Sequence, residues 1–405
     1  MSIAYAGELV CPRCAARYRE ALAFGGCPGC ADQGVPVALR PGYAVARDDA
    51  PWQWRDALPL TADQPLLSLG EGGTPLLPLR RLGRELGIGR LLLKDESRNP
   101  TWSWKDRLAC VAVSKAAASG ADTVIVSTSG NHGAAVAAYA AAAGLRCVVL
   151  MMRSAPLTMR TMMQAYGAAV VAYEHGPDRW AVMAQAVRTH GWVPMSNFTD
   201  PPLGSNPFGV DGYKLIAFEI LRDLGEVPDV VIVPASYADG LAGIHRGFAD
   251  LLALGLAERV PRLVAGEVFG PYSQALAAGG DLAGPVPATD TKAFSIATPV
   301  GTYQGLDALR RSGGRAVVTR DDRALMAMQH QVAATEGLYL EATGVVPLLA
   351  ARELAGGGAL RGQTVVAVGT STGLKDIPST AERFPDPPAP PPTLAALDKA
   401  LEDLT

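Results

Sequence analysis

Short apolar runs alternate along the chain with segments whose apolar residues recur at helical spacing. The β-branched run TVIVS at 123–127 predicts a buried strand. The alanine-rich segment after it predicts a helix closed by Gly144, and the apolar run from Leu145 predicts the next strand. This order continues to Gly191. Because strands that alternate with helices form parallel sheets covered by helices, these residues predict an α/β unit.

A second alternating series follows a Pro/Gly/Asn-rich connection at 196–213. Its strands are predicted at VVIVP (230–234), RLVAGEVF, RAVVTR, LYLE and TVVAVG. We therefore predict an α/β fold with two open parallel-sheet subdomains. The small subdomain spans 106–205, and the large one is discontinuous, spanning 36–105 and 206–383.

The two ends of the chain lack this alternation. Residues 1–35 are too short to bury a core of their own. Residues 36–65, which are rich in Pro, Asp and Trp, predict a linker that lies on the larger subdomain. Residues 384–405 predict a proline-rich linker and a short amphipathic helix, which we expect to dock on its own protein.

Composition narrows the class of protein. Hydrophobic residues make up 49% and charged residues 19% of the 405, which fits a globular protein with a large core. The net charge of −3 gives no general attraction to nucleic acid or to an anionic membrane, so we expect neither partner. The apolar run at 133–152 contains Gly144 and Arg146 and divides into a helix and a strand, which predicts buried core. The first residues have no signal-peptide pattern, so we expect a cytoplasmic protein.

Four of the six cysteines form two CxxC pairs, Cys11-Pro-Arg-Cys14 and Cys27-Pro-Gly-Cys30, with twelve residues between them. Four thiolates at this spacing can surround Zn²⁺ tetrahedrally. We predict a structural zinc ribbon in residues 1–35 whose folding energy the metal supplies. Two disulfides or four free thiols are the alternatives, and a cytosolic setting disfavours disulfides.

Lys105, in NPTWSWKDR at 99–107, is the candidate reactive group. It follows the turn-forming pair Asn99-Pro100, has hydroxyl and indole neighbours, and starts a predicted helix. A lysine held against aromatic surface is poorly hydrated, and desolvation lowers its pKa, as a Schiff-base lysine requires. For Lys105 taken alone, the alternative is an ordinary solvated lysine at a helix start.

The stretch around Lys105 resembles the NPTGSFKDR segment of threonine synthases, in which the lysine carries pyridoxal 5′-phosphate (PLP). Three more segments resemble fold-type II PLP enzymes in the same order: STSGNHG at 127–133, VPASYADGLAG at 233–243 and TSTGLKD at 370–376. SLGEGGTPL at 68–76 resembles the entry segment of that family. The resemblance implies that the large subdomain binds PLP and the small one binds substrate.

The resemblance also implies which residues hold the cofactor. Lys105 carries it, Ser236-Tyr237-Ala238-Asp239-Gly240 binds its phosphate and Asn131 bonds its phenolic oxygen. Thr370 contacts its pyridine nitrogen, with Ser371 and Thr372 as alternatives, and Glu341 lies beside it, with an ordinary charge at a strand end as the alternative. A neutral hydroxyl at the nitrogen favours elimination and replacement over transamination. The family usually has a glycine- and asparagine-rich phosphate loop. Because this chain has Tyr237 and Asp239 there, we expect the Asp239 carboxylate to point away from the phosphate or to cap the helix.

The loop at 127–133 is assigned by resemblance to the substrate. The residues expected to hold the substrate are Ser127, Thr128, Ser129, Gly130 and His132. His132 is closer to what serine and threonine dehydratases carry, and a structural helix-start histidine is the alternative for it.

One departure from the family concerns the leaving group. A family segment similar to SNPFGVDGYK carries an arginine for the substrate phosphate, and this chain has Gly209 there. Candidate replacements are Arg153, Arg160 and Lys214. Without a replacement, we expect threonine or serine to be turned over faster than O-phosphohomoserine.

We therefore predict a PLP-dependent lyase similar to threonine synthases. It would catalyse elimination or replacement at the β or γ carbon of a small α-amino acid with a hydroxyl or phosphate leaving group. Trp102 and Trp104 replace less bulky family residues and should reshape the pocket. The alternatives are a serine/threonine-type dehydratase, a β-replacement synthase and a catalytically silent PLP-binding or zinc-ribbon interaction protein. We expect a homodimer.

Overall fold

The computed structural model describes residues 2–46 and 53–404. Within these residues the strands are β1 Ser2–Val10, β2 Arg17–Tyr18, β3 Arg40–Ala46, β4 Leu76–Pro78, β5 Arg90–Asp95, β6 Thr123–Ser127, β7 Arg146–Met152, β8 Ala169–Tyr173, β9 Val193–Pro194, β10 Val230–Pro234, β11 Arg262–Glu267, β12 Arg315–Val318 and β13 Thr364–Gly369. The helices are α1 Pro28–Ala31, α2 Arg80–Leu86, α3 Lys105–Ala118, α4 Asn131–Ala143, α5 Leu157–Ala165, α6 Gly176–His190, α7 Pro207–Val210, α8 Lys214–Leu224, α9 Asp239–Ala253, α10 Pro271–Ala278, α11 Tyr303–Arg311, α12 Asp322–Glu336, α13 Ala342–Gly356, α14 Ile377–Ala381 and α15 Leu394–Leu404.

Two open sheets carry most of the fold. The larger has the strand order β12-β11-β10-β13-β5-β4 and is parallel except at β4, which pairs antiparallel with β5. The smaller has the order β8-β7-β6-β9 and is parallel. Strands β6 and β10 are buried over their whole length, as apolar strands are when helices cover both faces of a sheet. The predicted α/β fold with parallel sheets is confirmed.

The order of the larger sheet brings three distant segments of the chain together. Strands β10, β13 and β5 are neighbours, and all three run in the same direction. The chain leaves their carboxyl ends through the segments that hold Ser236–Gly240, Thr370 and Lys105. Because open α/β sheets bind ligands at the carboxyl ends of their strands, we expect a ligand-binding site at this edge of the sheet.

Helix α3 is buried along almost its whole length and therefore has no solvated face. The segment after α7 packs directly on it. An ideal Cβ built on Gly212 would lie 2.0 Å from the carbonyl oxygen of Arg107, so only glycine lets the two backbones approach this closely. This contact fixes the first turn of α3, which begins at Lys105.

A third, antiparallel sheet, β2-β1-β3, lies near the N-terminus. Strand β3 falls within 36–65, so the interpretation of that segment as an irregular linker is wrong for Arg40–Ala46. Its partner β1 lies far away in sequence, and periodicity does not report such pairing. Residues 47–52 of the predicted linker lie outside the described residues.

Two further predictions fail in part. The segment LYLE forms only an isolated bridge between Leu340 and Thr372, because α13 begins directly after Glu341. Helix α15 leaves Leu394, Leu397 and Leu401 exposed, so the described residues do not show the docking expected for this helix. Across the described ranges, none of the helices combines the length and the apolar character that crossing a membrane requires.

Candidate active site

Lys105 lies in a cleft of aromatic rings. Its Nζ is 5.3 Å from the centre of the Trp104 ring and 5.7 Å from that of Tyr213. Among the described residues its ammonium has no hydrogen bond or ion pair within 4 Å. Burial lowers the pKa of Lys105, and the charges of Asp239 and Glu341 oppose this only in part. The poorly hydrated surroundings expected from the sequence are therefore present around this amine.

Asn131, the first residue of α4, is held from two sides. Its Nδ2 donates to both carboxylate oxygens of Glu341, at 3.0 and 3.2 Å. Its Oδ1 accepts from Lys375 Nζ at 2.7 Å and from Ser371 Oγ at 3.3 Å. These contacts leave the side-chain amide one orientation, with its NH₂ group on the Glu341 side.

Lys375 is a site residue that sequence reasoning missed. Burial lowers its pKa to about 8, although the charges of Glu341 and Asp106 raise it. Burial likewise raises the pKa of Glu341, which hydrogen bonding from Asn131 and the charge of Lys375 oppose. The available signal was a lysine inside the matched segment TSTGLKD, from which only the hydroxyl residues were taken.

The three hydroxyl residues after β13 have different partners. Ser371 Oγ donates to the carbonyl oxygen of Trp102 at 3.0 Å, and Thr372 Oγ1 accepts from the N–H of Leu374 at 3.3 Å. Thr370 Oγ1 is buried and has no hydrogen-bond partner within the described part of the chain. A buried hydroxyl without a partner is costly, so Thr370 is the one free to bind a ligand atom.

The loop Ser236–Gly240 joins β10 to α9. Ala238 has a φ of +57°, and this left-handed residue turns the chain into the helix, whose first N–H groups are free of helix partners. An ideal Cβ on Gly240 would lie 2.2 Å from the Trp104 ring, so the indole covers the start of α9 and position 240 requires glycine. Ser236 Oγ lies 2.6 Å from Thr298 Oγ1.

The Asp239 carboxylate is engaged outside this loop. It accepts from the backbone N–H of Ser205 at 3.0 Å, from its hydroxyl at 2.7 Å, and from Gln304 Nε2 at 2.7 Å. It makes no side-chain cap of α9. The helix cap, one of the two orientations expected from the sequence, is therefore absent, and the carboxylate points to Ser205 and Gln304. Three donors compensate its charge at the start of α9.

The loop at 127–133 connects β6 to α4 and faces the Lys105 cleft. Ser127 Oγ and His132 Nε2 are buried without a hydrogen-bond partner in the described ranges. Thr128 Oγ1 accepts from the Gly130 N–H at 3.3 Å. Burial, and next the charge of Lys105, lower the pKa of His132 well below its usual value, so its imidazole is neutral.

Gly209 lies against helix α3. An ideal Cβ there would lie 2.9 Å from Leu108 and Ala112, so this position is packed in the interior. The three candidate replacements also lie elsewhere: Lys214 is paired with Asp211 and Asp250, Arg153 with Glu174, and Arg160 is exposed on α5. Besides Lys375, which donates to Asn131, Arg179 reaches the 127–133 loop, where its Nη1 donates to Ser129 Oγ at 3.3 Å. It was missed because nothing in the pattern of α6 distinguishes it from a solvated helix residue.

The four paired cysteines meet in one place. The Sγ atoms of Cys11, Cys14, Cys27 and Cys30 all lie within 4.8 Å of one another. The shortest separations, Cys11 to Cys30 and Cys14 to Cys27, are both 3.7 Å, far beyond the about 2.05 Å of a disulfide. Four sulfurs at these separations fit one tetrahedral ion such as Zn²⁺.

The cleft residues together fit PLP. The Trp104 N–H donates to the carbonyl oxygen of Thr370 at 3.0 Å, and Asn131 Nδ2 donates to Glu341 at 3.0 Å, so the segments that carry these residues lie together. An amine with a lowered pKa can react with the aldehyde of PLP, and the free N–H groups at a helix start can bind its phosphate. The unpartnered hydroxyl of Thr370 can contact its ring nitrogen. Fold and cleft together define a fold-type II PLP enzyme.

Comparison with known proteins agrees with this class. Residues 67–371 match the family of pyridoxal-phosphate dependent enzymes, and the chain belongs to that family. It is 32% identical over 350 residues to the threonine synthase of Methanocaldococcus jannaschii, which covers 84% of each chain. It is 34% identical over 335 residues to that of Mycobacterium tuberculosis, covering 81% of this chain and 88% of the relative. The protein is thus a PLP-dependent lyase similar to threonine synthases, acting by elimination or replacement at a β or γ carbon, and the prediction of a silent binding protein is set aside.

Solved structures show the same fold. Diaminopropionate ammonia lyase from Escherichia coli superposes with a TM-score of 0.67 at 18% identity, covering 78% of this chain and 88% of the other. Maize serine racemase superposes with a TM-score of 0.64 at 21% identity, covering 82% and 93%.

Proposed function

We propose that the protein acts on a small α-amino acid with a hydroxyl or phosphate leaving group, and that Lys105 is its catalytic residue. The observation that carries this proposal is a half-buried amine packed against two aromatic rings, with a lowered pKa and no described acceptor for its protons. A half-buried lysine without an anionic partner costs folding free energy, and such a cost is typical of a reactive group.

Four parts of the cleft would hold PLP, through an unpartnered hydroxyl in the case of Thr370 and through an oriented amide in the case of Asn131. Lys105 would bind it covalently, the N–H groups of Ser236–Gly240 its phosphate, Thr370 its ring nitrogen, and Asn131 its phenolic oxygen beside Glu341. When bound, PLP withdraws electrons from the substrate α-carbon and stabilises negative charge there. The hydroxyl of Thr370 is neutral and so leaves the ring nitrogen without the full charge that a carboxylate would impose.

Lys105 would then move the proton. Once substrate frees its amine, Lys105 Nζ takes the proton of the α-carbon and later returns one. The lowered pKa increases the neutral fraction of this amine near pH 7, which a base requires. The loop residues Ser127, Thr128, Ser129, Gly130 and His132 would hold the substrate carboxylate. The neutral imidazole of His132 suits it to hydrogen bonding near Lys105 rather than to a second positive charge.

A substrate panel tests the reaction. We expect product from at least one of O-phosphohomoserine, threonine, serine, O-phosphoserine and O-acetylserine, scored for α-keto acid, phosphate and a new amino acid. An α-keto acid without added nucleophile indicates the dehydratase reaction, and a new amino acid indicates replacement. Absence of product and of any change in the cofactor spectrum with all five would contradict the proposed function.

We also propose the assembly around this centre. Cys11, Cys14, Cys27 and Cys30 would hold one structural Zn²⁺ in a ribbon, since their sulfurs lie within 4.8 Å of one another. The large subdomain would comprise 36–105 and 206–383, the small one 106–205, and the tail 384–405. A cytoplasmic homodimer is the proposed form. Elemental analysis, limited proteolysis and sedimentation test the metal, the boundaries and the dimer, and a zinc-free protein with four alkylatable thiols would contradict the ribbon.

A further inference from the structure

Arg179, on α6, is a cation without an anion. Its Nη1 donates to Ser129 Oγ at 3.3 Å, while its Nε is buried and has no hydrogen-bond partner within the described ranges. No carboxylate of the described residues lies within 4.0 Å of its guanidinium. Burial lowers the pKa of Arg179, an effect that Tyr237 opposes, so the side chain is held where its charge is poorly solvated.

The two buried arginines Arg107 and Arg246 differ from it, because both are paired with carboxylates. The guanidinium of Arg107 donates to two carboxylates, and that of Arg246 donates to Asp211 at 2.9 Å. Arginine presents a planar fork of donors that matches carboxylate and phosphate groups. A half-buried guanidinium with an unused N–H can therefore still donate a hydrogen bond to an anion that the described residues do not supply.

Ser129 determines which hydrogen-bonding groups are available next to Arg179. Its Oγ accepts from the Met152 N–H at 2.8 Å and from Arg179, so both lone pairs of the hydroxyl are used. Its own hydrogen can then only be donated. Arg179 and Ser129 together therefore present donors, and no acceptor, at the loop that faces the Lys105 cleft.

Arg179 also acts on the opposite side of the cleft. Burial raises the pKa of Tyr237 to about 12, the charge of Asp239 adds to this, and the charge of Arg179 opposes it. Tyr237 belongs to the loop after β10 in the larger sheet, whereas Arg179 and Ser129 belong to the smaller sheet unit. The guanidinium is thus bound to the loop assigned to the substrate, and its charge also acts on Tyr237 in the loop assigned to the cofactor phosphate.

We propose that Arg179 determines substrate specificity by binding an anionic group on the substrate side chain, a phosphate ester or a carboxylate, at the β or γ position. This inference rests on the proposed function. It reverses the preference expected from Gly209, because a cation other than the three weighed from the sequence reaches the 127–133 loop. The N–H groups of the 127–133 loop would bind the α-carboxylate, and Arg179 would bind the anionic group on the substrate side chain.

The test measures binding to the PLP-loaded protein without requiring turnover. The visible spectrum of the bound cofactor is titrated with two matched pairs, serine with O-phosphoserine and homoserine with O-phosphohomoserine. We expect the wild type to prefer the phosphorylated member. Arg179→Gln should lose that preference by on the order of tenfold to a hundredfold, as expected for a hydrogen bond to a charged group, with the neutral member little changed. Arg160→Gln removes the same charge from the exposed face of the neighbouring helix α5 and should change neither member.

Several outcomes would overturn the assignment. An equal loss for both members of a pair would place Arg179 on the α-carboxylate or make it a support of the loop. If Arg179→Gln bound PLP more weakly and kept the same substrate preference, Arg179 would be a ligand of the cofactor phosphate. If the wild type showed no preference for the phosphorylated member, there would be no anion site at Arg179. A protein that binds the phosphorylated member through Arg179 but converts nothing retains this inference and loses the proposed function instead.

Discussion

Lys105 and Arg107 lie two residues apart in the first turn of α3, yet their surroundings are opposite. Arg107 donates to Glu96 at 2.6 and 2.8 Å and to Glu219 at 2.8 Å from each of two nitrogens. Burial opposes its charge, but the two glutamates raise its pKa. Lys105 is turned to aromatic rings and has no such partner among the described residues.

Within one helical turn, the polar groups around Arg107 stabilise the fold, whereas those around Lys105 are available for a ligand. On the Arg107 side every charge is compensated, which fixes the helix. On the Lys105 side buried atoms of Thr370, Ser127 and His132 stay without described partners. Because unpaired buried polar groups are costly, their concentration in one cleft indicates a ligand that completes them.

The largest effect should come from removing the amine. Lys105→Ala should lower turnover by about 10²–10⁴-fold or more, because both the attachment point and the base are lost. It should leave the free energy of unfolding unchanged or higher, because no ion pair is broken. Turnover and borohydride labelling of the wild type measure this, with Lys115→Ala, on the same helix, as the control. Label found on Lys375 instead would contradict the assignment.

Removal of Arg107 should act on the fold instead. Arg107→Met leaves two glutamates buried without their partner and should lower the free energy of unfolding by about 3–5 kcal/mol. Urea unfolding measures it. Arg153→Met, which breaks the solvent-exposed pair with Glu174, should cost at most about 1 kcal/mol. If both variants cost the same, the contrast between the two sides of α3 fails.

Acid should also distinguish the paired side. Burial raises the pKa of Glu219, but hydrogen bonds and charges from Arg107 and Lys94 outweigh it and lower the pKa from 4.5 to about 2. The folded-state pKa is depressed, so the stabilisation is complete above pH 4.5 and is lost as pH falls through 2. We expect a loss of roughly 2–3 kcal/mol over this window, and a flatter pH dependence of unfolding for Glu219→Gln. Parallel pH profiles would show that Glu219 does not carry this dependence.

The smallest effect concerns the orientation of a cofactor contact. Lys375→Met removes the donor to Asn131 Oδ1 and lets the amide turn, so we expect the dissociation constant for PLP to rise by about tenfold, the value of one such hydrogen bond. Lys292→Met, at an exposed pair with Glu382, is the control. Fluorescence titration with PLP measures both, and unchanged affinity in Lys375→Met would show that Asn131 needs no such support.

Local pattern predicted much of this arrangement. Strands β6 and β10 are short runs of mainly β-branched residues, and β5 contains three consecutive leucines. Lys105, Asn131 and Thr370 each lie in a short segment that could be recognised in the sequence. The pairing of β1 with β3 could not be predicted in this way, because it depends on partners that are distant in sequence.

Side-chain direction was the other limit. Gly209 was taken for a lost ligand contact because its position along the chain says nothing of the helix packed on it. Arg179 and Lys375 were overlooked for the converse reason. Their importance lies in an unused or shared hydrogen bond, which only the three-dimensional neighbourhood reveals.

The contact of the Trp104 ring with Gly240 has a consequence for how this sequence can change over time. With the indole in place, any side chain at 240 meets ring atoms at 2.2 Å, so such a substitution is harmful by itself. A smaller residue at 104 first opens the space, and only then can position 240 vary. The two positions should therefore vary together among descendants of this chain, with the order of the two changes fixed by sterics rather than by chance.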